Sequence, residues 1–129
     1  MKYNILIIED NEVTAKFLQG FLSGKGYMVK TIDKGLSIVE EAKEFKPNLL
    51  LVDILLPDID GAEAVKLAQR ERELADIPVI FLSAIIEEDK FRGNTITVND
   101  REYPAYSKTI SSDDLLKAIE TALQKPSQS

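Results

Sequence analysis

The chain of 129 residues carries 16 lysine and arginine residues against 22 aspartate and glutamate residues, a formal net charge of −6, and neither cysteine nor histidine. That length holds one domain around one core, and the acidic balance leaves no basic footprint for direct nucleic-acid binding. Without cysteine or histidine there is no disulfide, thiolate site, imidazole ligand, histidine general base or phosphohistidine carrier, and oxygen chemistry is what remains.

The opening stretch MKYNILIIEDNE reaches charge after an apolar run too short for a signal sequence or a membrane span, so a cytoplasmic location is expected. Ile5 to Ile8 predicts a first strand, ended by Glu9 and Asp10. Asn11 can then cap a helix whose apolar positions Val13, Phe17, Leu18, Phe21 and Leu22 share one face. Gly24 and Gly26 stop that helix, Tyr27 to Ile32 reads as a second strand, and Leu36 to Phe45 as a second helix ended by Pro47. Leu49, Leu50, Leu51 and Val52 are apolar without alternation, the pattern of a central strand covered on both faces, and Asp53 stands at its tip. Pro57 and Gly61 then turn the chain away, with Asp58 and Asp60 as turn and capping residues. A helix over Ala62 to Arg70, a fourth strand over Val79 to Leu82 and a short fifth over Ala105 to Ser107 follow. Ser111 and Asp114 form a capping-box-like pair at the start of a last helix carrying Leu115, Leu116, Ile119 and Leu123. The domain is expected to occupy residues 1–125, with 126–129 a frayed tail or the start of a linker.

Alternating strands and helices predict an α/β doubly wound sheet with every strand parallel, because crossovers are right-handed and each helix returns the chain to the same end. In such sheets ligands gather beyond the carboxyl ends of the strands. That rim receives Glu9 and Asp10 from the first strand, Asp53 from the third, Ser83 from the fourth and Lys108 from the fifth. Two carboxylates about 4 Å apart repel by roughly 4 kcal/mol at an effective dielectric near 20, so three clustered acids need counter-charge. Lys108 supplies one positive charge, and an all-oxygen site suits magnesium for the rest. Asp53 can then be a nucleophile that accepts a phosphoryl group, with Lys108 and Ser83 contacting its oxygens.

These residues carry a family resemblance. The runs IIEDN, LLLVDILLPDIDG and FLSA, with a lysine after the last strand, make the chain similar to the receiver domain of two-component response regulators over nearly its whole length. The resemblance implies a flavodoxin-like five-stranded sheet of order 2-1-3-4-5. It further implies that Asp53 is the phosphoacceptor, Glu9 and Asp10 the acidic pair that organises Mg2+, and the main-chain carbonyl of Leu55 an additional ligand. Ser83 would be the hydroxyl switch, Lys108 the phosphate-pairing lysine, and Ala84 the small residue that keeps the site open. The implied partners are a histidine kinase or histidine phosphotransfer protein upstream and a protein or appended effector domain downstream. The implied activity is self-catalysed phosphoryl acceptance rather than turnover. Two other readings stand beside it: a receiver-like protein-binding module that works without phosphorylation, and a magnesium-dependent phosphohydrolase. Against the latter, Leu55 stands where such an enzyme places a second acid.

Several positions depart from that family's pattern. Thr109 follows Lys108 where proline is common, and a trans bond is expected because a cis bond before a non-proline residue costs roughly 3 to 4 kcal/mol. Ala105 holds the place of the mobile aromatic, and Tyr106 should face the other way by strand alternation; with a bulge in the strand, Tyr103 or Tyr106 is a substitute. Between Ser83 and Lys108, Gly93 comes early and Thr95, Ile96, Thr97 and Val98 favour extended structure, so the fourth helix is expected to be short, displaced or replaced. Leu55 and Ile85 are both apolar, and neither can orient an attacking water, which predicts slow self-hydrolysis of a phosphoaspartate.

Overall fold

A computed structural model describes residues 2–84 and 95–124. Five strands are where the sequence places them in kind: β1 (Asn4–Ile8), β2 (Met28–Ile32), β3 (Leu49–Asp53), β4 (Val79–Ser83) and β6 (Arg101–Ser107), with β5 (Thr95–Val98) added between the last two. The helices are α1 (Glu12–Gly24), α2 (Ile38–Phe45), α3 (Gly61–Gln69) and α4 (Ser112–Gln124). The segment 85–94, including Ile85 and most of the expected fourth-helix region, lies outside the described residues, as does the tail 126–129.

The sheet order is β2-β1-β3-β4-β6-β5. Four neighbouring pairs are parallel, as expected, but β5 runs antiparallel to β6, so the sheet has six strands rather than five and not every strand points the same way. The reason is local. Thr95 to Val98 is β-branched throughout, and Asn99 and Asp100 take positive φ values of 50° and 69°, the backbone of a two-residue turn that folds one strand tightly back on the next. The fifth strand of the sequence reading therefore begins four residues early, at Arg101 rather than Ala105.

Alternate residues of the central strands feed two cores. Leu6, Ile8, Leu50, Val52, Val79 and Phe81 pack under α2 and α3 together with Val98, Tyr103 and Ala105. Ile5, Ile7, Leu49, Leu51, Ile80 and Leu82 pack under α1 and α4. Ala105 and Tyr103 thus share a face and Tyr106 takes the other, as alternation requires. On α1 only part of the shared apolar face is buried: Leu18 and Leu22 are covered, whereas Val13 is 79% and Phe17 56% exposed. The second helix is likewise preceded by a 3-10 turn, Gly35–Ser37.

Caps fix where the helices begin. Asn11, Asp60 and Ser111 accept from the backbone N–H groups of Thr14, Glu63 and Asp114, each three residues on. Asp58 reaches further, taking the N–H groups of Gly35 and Leu36 at 3.0 and 2.8 Å, which ties the loop after β3 to the one after β2. Gly61 is required by closeness: a methyl group there would stand 2.3 Å from the carbonyl oxygen of Asp53. Gly61→Ala is expected to cost about 1–3 kcal/mol through that overlap, read as a clearly lowered midpoint in thermal or denaturant unfolding.

Candidate functional site

Asp53 closes β3 at the centre of the sheet and is buried, with Leu82 of β4 beside it in register. Its Oδ2 lies 2.9 Å from the ammonium of Lys108, and its Oδ1 accepts the N–H of Leu55 at 3.2 Å. Glu9, at the end of β1, is also buried and holds the same ammonium through both oxygens, at 2.9 and 3.0 Å, while Oε2 accepts the N–H of Asn11. Asp10 is exposed, and one oxygen from each of Glu9, Asp10 and Asp53 lies within 4.8 Å of the others.

The lysine reaches this place because β6 delivers it. Lys108 follows Ser107, the register partner of Ser83, and its own N–H donates to the Ser83 carbonyl at 3.0 Å. Ser83 is fully buried at the end of β4, one step beyond the level of Asp53. Beyond Lys108, the Ser107 and Thr109 hydroxyls lie 2.8 Å apart and the Thr109 N–H donates to Ser107 Oγ, a turn closed by side chains where proline was the family's choice. The peptide bonds here are trans. Glu9, Asp10, Asp53 and Lys108 therefore meet at one rim, with the Leu55 N–H on Asp53 and Ser83 one register step beyond.

The chain matches the model of the response regulator receiver domain over residues 5–120. The chain belongs to that family. Among relatives of this receiver domain, the polar-differentiation response regulator DivK of Brucella anthropi is 32% identical over 124 residues, covering 95% of this chain and 98% of its own. The ycf29 protein of Porphyra purpurea is 30% identical over 98% of this chain, which spans only 59% of that longer protein. Two solved structures show the same fold. One is the receiver domain of a sensor histidine kinase from Pseudomonas aeruginosa PAO1 with a magnesium ion coordinated in its active-site cleft (22% identity, TM-score 0.82, 97% of this chain and 100% of that one). The other is the BeF3-activated N-terminal receiver domain of Klebsiella pneumoniae RstA (20% identity, TM-score 0.80, 95% and 99%). No helix among the described residues of this receiver is long and apolar enough to cross a membrane.

Electrostatics follow from burial. Burial raises the Glu9 carboxyl above its usual range, opposed by the hydrogen bonds from Lys108 and Asn11 and reinforced by the neighbouring charge of Asp53. For Lys108 burial acts downward, but hydrogen bonds and charge from Glu9 and Asp53 together raise it. The sign of each differs in consequence. The raised lysine adds stability that is fully present below its unfolded value and is lost as pH climbs through the folded one. The raised glutamate is a liability once ionised: the penalty is fully present above its folded value and is relieved as pH falls through that value towards the unfolded one.

What spacing did not reveal is the support around the rim. Asp58 was legible as a turn residue, but not its partners 22 and 23 positions away. Its carboxyl is held below the usual range chiefly by the N–H of Leu36. Lys108→Met is expected to lower stability at neutral pH in chelator by about 2 kcal/mol, less than for a fully enclosed pair because the lysine side chain is 21% exposed. The deficit narrows as pH falls and Glu9 protonates, and denaturant midpoints measured from neutral pH downwards follow it.

Proposed function

We propose that this receiver domain accepts a phosphoryl group on Asp53 from a phosphohistidine of a histidine kinase or histidine phosphotransfer protein, in the cytoplasm, and that the modified domain alters a protein-interaction surface for a downstream protein or appended effector. The observation that carries this reading is the state of Asp53. It is a buried carboxylate at the end of the central strand, with one oxygen on Lys108, the other on a main-chain N–H, and two further acids within 4.8 Å.

The donor set fits a hard divalent cation, since it is all oxygen and lies beside an excess of negative charge. Glu9, Asp10, Asp53 and the main-chain carbonyl of Leu55 are the residues that would hold Mg2+, whose bound charge would offset that of the phosphoryl oxygens. Attack by an Asp53 carboxylate oxygen on phosphorus breaks the P–N bond of the donor, and the electron pair leaves with the imidazole. Lys108 is placed to exchange its hold on Asp53 for a phosphoryl oxygen, and Ser83 offers a hydroxyl one step further along the rim. Since little covalent machinery is needed beyond the nucleophile, position and charge are the main contributions of the protein.

Incubation with acetyl phosphate and magnesium is expected to add the mass of one phosphoryl group at Asp53, and Asp53→Asn to abolish it. Absence of any mass gain in the unmodified chain would leave the phosphorylation-independent binding module, a reading that Ala105, Thr109 and the β5–β6 hairpin favour. Turnover of a phosphomonoester would instead support the phosphohydrolase. Decay of the phosphorylated form is expected to be slow, because Leu55 and Ile85 present no group that orients water. Leu55→Gln should accelerate that decay about ten-fold, followed by loss of the phosphoprotein in time.

A further inference from the structure

Gln69, the last residue of α3, commits its entire side-chain amide to the β5–β6 hairpin. Its Nε2 donates to the carbonyl of Val98 at 3.1 Å and to the Tyr103 hydroxyl at 2.6 Å, and its Oε1 accepts from Asn99 Nδ2 at 3.0 Å. One amide thus grips the first strand, the turn and the second strand. Arg101 adds a second anchor below it, donating to the Ala75 carbonyl at 2.5 Å and pairing with Asp76 at 2.8 Å. Tyr103 is buried with its ring edge-on to Phe81, centroids 6.1 Å apart.

The other end of α3 rests on the phosphoacceptor strand. The Gly61 N–H donates to the Ile54 carbonyl at 2.7 Å, and the helix start lies so close to the Asp53 carbonyl that no Cβ fits between them. From Tyr103, β6 runs on to Lys108, whose ammonium is 2.9 Å from Asp53. The contacts close a circuit from Asp53 through α3 to Gln69, on to Tyr103, along β6 to Lys108, and back to Asp53. A group added to Asp53 meets the Lys108 arm directly at the carboxylate, while the α3 arm begins at the main chain of the same residue, against Gly61.

We propose that Gln69 is a positioning residue that makes the β5–β6 hairpin respond to the state of Asp53, in place of a mobile aromatic at Ala105. The proposal rests on Asp53 being the phosphoacceptor. Its physical basis is that the Val98 carbonyl and the Tyr103 hydroxyl each meet Gln69 across the α3 boundary, so that α3 and the hairpin cannot shift past one another without breaking bonds to partly buried groups. Packed elements of that kind change by discrete steps rather than by continuous deformation. Coupling of this kind is reciprocal, so the hairpin must also influence binding at Asp53.

The test uses the full chain with beryllofluoride and magnesium. Fluorine NMR reports occupancy at Asp53, and amide hydrogen exchange reports the backbone of Val98 and Tyr103. In the unsubstituted chain a bound fluorine signal is expected together with a change of about five-fold or more in exchange at those amides. Gln69→Leu should still bind beryllofluoride, lose most of the hairpin response, and show a dissociation constant shifted by the same factor. Tyr103→Phe keeps the ring and removes one of the three bonds, so it should give an intermediate response, and it carries the test if Gln69→Leu does not fold. A hairpin that stays silent while fluoride is bound overturns the coupling alone, as does a full response in Gln69→Leu or, where that variant is unfolded, in Tyr103→Phe. Absence of a bound fluorine signal in the unsubstituted chain overturns the phosphoacceptor reading and this proposal with it.

Discussion

One ammonium group holds the rim of this domain together. Lys108 enters a space between two buried carboxylates, 2.9 Å from each, and those carboxylates end β1 and β3 while the lysine ends β6. Three separate strands of the sheet are thereby cross-braced at their carboxyl ends by charge. Removing an ion from water is costly, and here the cost is offset only because Glu9 and Asp53 also accept main-chain N–H groups from Asn11 and Leu55. The formal balance nonetheless favours the negative side: three acids face one lysine. A site left acidic in this way is a standing attraction for a cation; burial chiefly raises the Glu9 carboxyl, and the neighbouring charge of Asp53 adds to it.

Much of this geometry is dictated by patterns of a few residues, and those were legible in the sequence. Non-alternating apolar runs announced strands buried on both faces, which left their polar ends nowhere to go but the rim. Asn11, Asp60 and Ser111 marked helix starts because a cap acts over three residues, within the reach of any sequence window. The exposure of Val13 and Phe17 was not legible, for the opposite reason. A helical face says which residues point the same way, not how far the core beneath extends, and that core reaches Leu18 and Leu22 but leaves Val13 and Phe17 exposed.

The hairpin illustrates the same limit at larger scale. β-branched residues at Thr95 to Val98 gave extended backbone, but pairing partner and direction depended on Asn99 and Asp100 adopting positive φ, which neither residue type requires. The contacts that seat the hairpin come from Gln69 and Asp76, about thirty positions away, and no spacing rule joins an amide at the end of one helix to a tyrosine in a later strand. Local chemistry was readable and long-range chemistry was not, because the latter is set by where the sheet places strands that are distant in sequence.

The replacement of family features follows one logic. With Ala105 in the aromatic position, the space beside Phe81 is filled by Tyr103 from two residues earlier on the same face, and the hydroxyl of that tyrosine is held by Gln69 rather than left to solvent. A ring tied at both its edge and its oxygen does not swing by itself; any movement it makes is shared with α3 and with the strand leading to Lys108. The substitution thereby converts a single side-chain rotor into a joint between two elements. The Gln69 amide that fixes Tyr103 also holds Val98 of β5, which makes β5 part of the same body as the acidic rim although it is the strand furthest from that rim in the sheet order on its side.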